Sequence, residues 1–116
     1  MFNEARAAFQ KVLDDAHSRG TETAAKAQLM IAETWWNQQK YDVAQREYLK
    51  VYHLHSKYPA WQAPALLQAG LCDEQLGQWQ NAVDAYEELI RKFPKTEPAA
   101  RAADRLRTAR QRAAAT

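Results

Sequence analysis

The residues most able to carry chemistry in this sequence are three histidines and one cysteine, and their spacing argues against a metal site. His53 and His55 are two residues apart on a predicted helix, so their side chains diverge by about 200° and cannot share a metal ion. His17 is remote from both in the sequence. Cys72 has no partner for an internal disulfide and is expected to be a buried thiol. We therefore predict no metal and no cofactor.

Motifs that indicate catalysis are missing from the sequence as well. The chain has no glycine-rich phosphate-binding loop, no nucleophile elbow and no HExxH zinc-protease motif. The acidic pairs Asp14-Asp15 and Glu87-Glu88 fall on outward helix faces, where they aid solubility. The sequence therefore predicts a protein that is not an enzyme.

Positive charge is concentrated near the end of the chain. Residues 91–112 hold eight basic side chains against Glu97 and Asp104, a net charge of +6 in a chain whose total is +2, so the remainder carries −4. Clustered arginines can neutralise phosphates, which makes nucleic-acid binding an alternative function. The acidic remainder and the lack of an RNA-binding motif disfavour it. The asymmetry could instead steer an acidic partner, or bring the acidic body of one copy to the basic end of another.

Composition and self-similarity both predict stacked helices. The chain is rich in alanine and has only three glycines and four prolines, which favours helix over strand. Ala5, Ala44 and Ala82 recur at intervals of 39 and 38 residues, and an aromatic side chain follows each of them four residues later. One helical turn separates alanine from aromatic, so the two share a face. Such a period is typical of repeat proteins built from helix pairs.

The spacing of apolar residues and the positions of glycine and proline predict six helices. The short connections between them predict that neighbouring helices are antiparallel. The helices are expected over residues 3–17, 22–38, 41–57, 61–76, 79–92 and 96–112. Thr21 or Thr23 is expected to cap the second helix and Thr96 the sixth. Pro59 is expected to follow the end of the third helix, and Pro64 to lie in the first turns of the fourth. The inward-facing side chains are expected to be Ala5, Phe9, Val12, Leu13, Ala16, Ala24, Ala27, Ile31, Ala32, Trp35, Ala44, Tyr48, Val51, Tyr52, Leu54, Leu66, Ala69, Gly70, Cys72, Leu76, Ala82, Val83, Tyr86, Leu89 and Ile90.

The stretch from Leu66 to Pro94 resembles a tetratricopeptide repeat, whose pattern is W-x2-L-G-x2-Y…A-x3-F…P. The matching positions are Leu66, Ala69, Gly70, Gly77, Ala82, Tyr86 and Pro94, with Leu66 in place of the tryptophan. Asp73 stands where the pattern has its first tyrosine. Residues 28–59 follow the pattern more loosely, and Pro59 arrives three residues late, which predicts a third helix extended by nearly a turn.

The resemblance implies an all-α fold, an antiparallel helix-pair solenoid of about six helices that forms a TPR-like superhelix. A single domain, 1–116, would contain a lone second helix at 1–18, repeats at 21–59 and 60–94, and a C-terminal capping helix at 95–113. The Tyr58-Pro59 and Phe93-Pro94 junctions are similar to those of bacterial cell-envelope assembly proteins of this family.

For function, the resemblance implies a non-catalytic protein–protein interaction module, a scaffold or adaptor. The first helix of each pair would line a concave groove that binds a peptide or helix of another protein. Projection by helical spacing predicts a groove with an apolar middle and a basic end. Its side chains are expected to be Lys26, Leu29, Glu33, Trp36, Asn37, Leu67, Leu71, Glu74, Gln75, Arg101, Arg105 and Thr108.

Two features of this groove have alternative interpretations. Trp36 is either an exposed binding residue beside Leu67 and Leu71, or it packs against the first helix or a neighbouring chain. Arg101 and Arg105 are four residues apart, so they could grip a carboxylate of the partner or simply form a solvated basic face. The sequence leaves these alternatives open.

Self-association is an alternative function, because open solenoid ends expose apolar faces such as that of Phe2 and Phe9 in the first helix. No run approaches the roughly 18 to 20 apolar residues of a membrane span, so we expect a soluble chain with no membrane insertion. The sequence does not choose between cytoplasm and periplasm. It is also compatible with a piece of a longer protein, since the chain opens almost directly into a helical pattern.

Overall fold

A computed structural model describes residues 1–15 and 17–115, which form six α-helices and no strand. The helices are α1 (Phe2–Asp14), α2 (Glu22–Asn37), α3 (Tyr41–Leu54), α4 (Pro59–Gln75), α5 (Trp79–Lys92) and α6 (Glu97–Ala115). The fold class predicted from the sequence, an all-helical repeat solenoid, is confirmed. Ala16, predicted on the inward face of the first helix, lies outside the described residues.

Two of the predicted caps begin their helices. Thr21 Oγ1 accepts a hydrogen bond from the backbone N–H of Ala24 at 3.2 Å, which assigns the cap of α2 to Thr21. Thr96 Oγ1 accepts the N–H of Ala99 at 3.2 Å in the same way at α6. Both hydroxyls satisfy a backbone donor that the first turn of a helix would otherwise leave unpaired.

The turns between helices repeat with the 38-residue period of the sequence. Gln39 and Gly77 occupy the left-handed region, with φ of 62° and 73°. The next residues, Lys40 and Gln78, have identical backbone angles, φ −91° and ψ 70°. The two helix pairs, α2–α3 and α4–α5, are therefore closed by the same turn, with glycine at the left-handed position only in the second.

Gln39→Gly is expected to stabilise the fold by about 0.5–1 kcal/mol, because a side chain at positive φ is strained and glycine is not. Urea unfolding followed by circular dichroism measures the change. Gln38→Gly is the matched control: Gln38 has φ −88°, so glycine there removes no strain and should lower stability. Equal effects of the two substitutions would contradict this explanation.

The third helix is shorter than predicted. It ends at Leu54, as α5 ends at Lys92, and each has 14 residues. The prediction of an extended helix was wrong because Pro59 does not close this repeat: it is the first residue of α4, where its missing N–H costs nothing. Leu54 and Leu76, both expected to face inward, are exposed because Leu54 is the last residue of α3 and Leu76 follows the last residue of α4.

The helices form two layers. α4 contacts both α2 and α6, whereas no Cα atom of α3 lies within 8 Å of α1 or α5 in the described residues. The layer of α2, α4 and α6 is therefore the more closely spaced one. In a curved stack the closer layer lies on the inside, so these helices present the concave surface and α1, α3 and α5 the convex surface.

Two apolar clusters fill the space between the layers, one among α2, α3 and α4 and the other among α4, α5 and α6 with Tyr52 of α3. Tyr48 and Tyr86, 38 residues apart, are completely buried in their respective clusters. Cys72 is also buried, as predicted, and burial raises the pKa of its thiol to about 12. Gly70 lies directly against the ring of Tyr86, which leaves no room there for a side chain.

Candidate functional site

The concave surface holds the predicted groove side chains at three different depths. Lys26, Asn37, Gln75, Arg101 and Arg105 are exposed; Glu33, Trp36, Leu71 and Thr108 are half-buried; Leu29, Leu67 and Glu74 are buried. The surface open to a partner is therefore more polar than the sequence projection predicted.

Leu29 and Leu67 do not form an apolar groove middle. Their exposed fractions are 7% and 2%, and each belongs to one of the two apolar clusters. The direct packing of α4 on α2 and on α6 covers the side chains that lie at those helix contacts. Their expected exposure was wrong for this reason.

Trp36 packs within its own helix pair. Its ring meets that of Tyr41 on α3 edge to face, with centroids 5.0 Å apart, and it is half-buried beside the α2–α3–α4 cluster. The neighbouring Trp35 faces α1 instead, where the guanidinium of Arg6 lies 3.6 Å from its ring centroid. Of the two interpretations of Trp36, the geometry favours packing, against α3 rather than α1.

Arg105 is held by its own chain. Its Nε donates to Glu74 Oε2 at 3.0 Å, its Nη2 donates to Glu74 Oε1, and the Tyr86 hydroxyl donates to the same carboxylate. This network ties together α4, α5 and α6. Burial and the Glu74 carboxylate raise the pKa of Tyr86. Arg105 therefore does not offer a free guanidinium to a partner, which argues against its binding a carboxylate of the partner.

Arg101 remains available. Among the described residues it makes no ion pair, and its exposed side chain borders a depression of about 290 Å³ between α4 and α6. Pro64, Leu67 and Gln68 of α4 form one side of this depression, and Glu97 and Pro98 of α6 form the other together with Arg101. This depression combines an apolar wall with a cation that has no ion-pair partner among the described residues.

The other arginines of α6 are partly engaged as well. Arg110 pairs with Glu87 of α5 at 2.8 Å, and the guanidinium of Arg112 lies 5.5 Å from the ring centroid of Trp79. Together with the Glu74–Arg105 pair, these contacts fix α6 to α5 and α4. Several basic side chains of α6 therefore make contacts within the fold. This weakens the case for a row of free arginines that would bind a nucleic acid.

Residues 1–15 and 17–115, which the structure describes, form neither a candidate metal site nor a membrane-spanning helix. No group of three histidine, cysteine or carboxylate side chains is placed to hold a metal ion there. None of the helices in that part of the chain is both long and apolar enough to cross a membrane.

A pocket on the convex side escaped the sequence reasoning. It lies between α3 and α5 over α4, has a volume of about 360 Å³, and has Asp73 in its wall together with Asp84 and Glu88. We call it the acidic pocket. The signal that could have revealed it is Asp73 itself, which stands where the repeat pattern has a large aromatic side chain.

Comparison with known proteins bears on the second helix pair. Residues 64–96 match the family model described as Tetratricopeptide repeat. The match begins within α4 and includes all of α5, which is the stretch whose turn and buried tyrosine are repeated 38 residues earlier. No curated protein matches the chain significantly.

Proposed function

We propose that this chain, which belongs to the tetratricopeptide repeat family, is a non-catalytic interaction module that binds a peptide or helix of another protein along its concave surface. Repeats of this family generally mediate protein–protein interaction. The observation that carries the proposal is the family match over α4 and α5, because α4 is the central helix of the concave layer.

Exposed polar side chains on the concave surface support this proposal. Lys26, Asn37, Gln75 and Arg101 are exposed, so they are free to make polar contacts. The half-buried Leu71 adds apolar surface between them. Glu33 lies beside the Tyr48 hydroxyl, whose pKa is raised by burial and further by this carboxylate, so Glu33 serves the core as well as the surface.

Arg101 supplies the chemistry expected at the α6 end. It is a free guanidinium beside an apolar wall, and guanidinium groups bind carboxylates through two parallel hydrogen bonds. A partner segment with an acidic side chain, or with its terminal carboxylate, next to a small apolar side chain would fit the depression between α4 and α6.

Arg101→Ala is expected to weaken binding about tenfold for a peptide selected from a display library on the wild-type chain, because one charge-assisted contact is lost. Isothermal titration calorimetry measures the affinity. Arg107→Ala is the matched control: it removes the same charge from the same helix, from an exposed position about 120° around the axis from Arg101. Equal losses in the two variants would mean that only net charge matters, which would contradict a specific contact.

Self-association is a second candidate function, favoured by the exposure of the α1 side chains. None of its side chains is buried, and Phe9 and Val12 border an apolar depression of about 160 Å³ shared with Met30 of α2. Mass-resolved size-exclusion chromatography over a range of concentrations tests this. A monomer at all concentrations is expected from the main proposal, whereas a dimer that Phe2→Asp dissociates would favour association through α1.

A further inference from the structure

The acidic pocket exists because the two repeats differ at one position. Trp35 and Asp73 are 38 residues apart, the spacing that relates the two turns and the two buried tyrosines. In the first repeat, Trp35 lies under Arg6 of α1 and packs against the α2–α3–α4 cluster. In the second repeat the short side chain of Asp73 leaves the space between α3 and α5 open, with a volume of about 360 Å³.

Asp73 is buried yet incompletely paired. Only 2% of its surface is exposed, and its Oδ1 has no hydrogen-bond partner. Burial raises the pKa of this carboxyl to about 6; the Gln45 amide opposes the shift and the Asp84 carboxylate adds to it. A buried carboxylate oxygen without a partner is costly, so a group that supplied a donor or a positive charge would be bound favourably.

The remaining charges around the pocket are also negative. Asp84 and Glu88 lie in its wall on α5, where Gln80 donates to Asp84 at 3.0 Å and Arg91 to Glu88 at 3.3 Å. The Tyr52 hydroxyl of α3 also lies beside Glu88. No cationic side chain among the described residues pairs with Asp73. The pocket therefore attracts a cation and repels a carboxylate or phosphate.

The apolar part of the wall suits the stem of a long side chain. Leu49 of α3 and Leu66 of α4 line the pocket beside the polar groups. Arginine and lysine bury their methylene groups on such surfaces while the charged head reaches polar partners. The carboxylates of Asp73 and Asp84, on two different helices, offer the acceptors that a guanidinium needs.

We propose that the acidic pocket on the convex side is a second binding site, which takes an arginine side chain from a basic segment of a partner protein. The guanidinium pairs with Asp73 and Asp84, and its stem lies against Leu49 and Leu66. This site is independent of the concave surface, so either proposal can fail without the other.

Amide NMR titration with a short capped peptide tests the proposal. The probe is acetylated alanyl-alanyl-arginyl-alanyl-alanine amide, and its control carries citrulline, which has the same shape but no charge. At pH 7.5 the arginine peptide is expected to produce saturable shifts confined to α3, α4 and α5 around Asp73, with a dissociation constant of about 1 mM. The citrulline peptide is expected to bind about tenfold more weakly.

Two variants locate the interaction. Asp73→Asn is expected to weaken binding at least about tenfold and to remain folded, since a neutral amide replaces an incompletely paired buried carboxylate. Asp84→Asn, at an exposed position, is expected to weaken binding about threefold. Asp104→Asn removes the same charge from an exposed position on α6 and should leave the affinity within about twofold.

The pH dependence supplies a further readout. Asp73 on α4, Asp84 and Glu88 on α5 and Gln45 on α3 face the pocket, and burial raises the pKa of Asp73 to about 6, so this carboxylate is neutralised as the pH falls below that value. Binding of the arginine peptide should therefore weaken between pH 7.5 and pH 5 in the wild type and change less in Asp73→Asn.

Equal binding of the arginine and citrulline peptides would overturn the proposal, and so would unchanged affinity in Asp73→Asn. Chemical-shift changes confined to the concave surface would overturn it as well.

Discussion

Gly70→Ala is expected to destabilise the fold by about 3 kcal/mol, although alanine is the better helix former. A Cβ atom at this position would lie 2.9 Å from Cδ1 and Cζ of Tyr86 and closer still to Cε1. The ring cannot swing aside freely, because Tyr86 is completely buried and its hydroxyl donates to Glu74. Urea unfolding monitored by circular dichroism measures the loss.

Two variants separate this clash from other effects of adding a methyl group. Gly77→Ala meets no atom within 4 Å and is strained only by its φ of 73°, so it should cost about 1 kcal/mol. Removing the ring should relieve the clash, so Gly70→Ala combined with Tyr86→Leu should cost less than the sum of the two single changes. A Gly70→Ala variant as stable as the wild type would show that the Tyr86 ring is not held in place.

Glu74→Ala is expected to cost about 3 kcal/mol of unfolding free energy, because it removes the acceptor shared by α5 and α6. The Tyr86 hydroxyl would be left buried without a partner, and Arg105 would lose its carboxylate. Most of the cost should come from Tyr86, since the side chain of Arg105 is 47% exposed and water can solvate its charge. Chemical unfolding gives the free energy.

Glu87→Ala is the control for that measurement. Glu87 of α5 pairs with Arg110 of α6, but both side chains are about half exposed, at 48% and 59%, so the loss should stay below about 1 kcal/mol. Similar losses for Glu74→Ala and Glu87→Ala would contradict a buried network at Glu74. Arg105→Ala should then affect stability more than partner affinity, since its guanidinium is already occupied.

Much of the fold could be predicted from the sequence because the information is local. The recurrence of Ala5, Ala44 and Ala82 gave the period, and Thr21 and Thr96 marked helix starts through the hydrogen bonds that threonine hydroxyls make there. The end of α3 was mispredicted because proline is compatible both with a position after one helix and with the first turn of the next.

The site was less predictable because it depends on distances between helices. Helical spacing gives the direction of a side chain but not how closely the next helix packs, so Leu29 and Leu67 were expected on the surface and are buried. The pairing of Glu74 with Arg105 joins residues 31 apart, which no local pattern reveals. Asp73 did carry a visible signal, a carboxylate where the repeat pattern has an aromatic ring.

The most direct test of the concave-surface proposal is photo-crosslinking of the display-selected peptide from single exposed positions on the two surfaces. A photoreactive side chain is placed at Asn37 or Gln75 on the concave side, and at Arg46 or Gln80 on the convex side, and mass spectrometry locates the attached peptide. We expect crosslinks from Asn37 and Gln75 that excess unlabelled peptide abolishes. Crosslinks confined to Arg46 and Gln80 would contradict the proposal and place the partner on the convex surface.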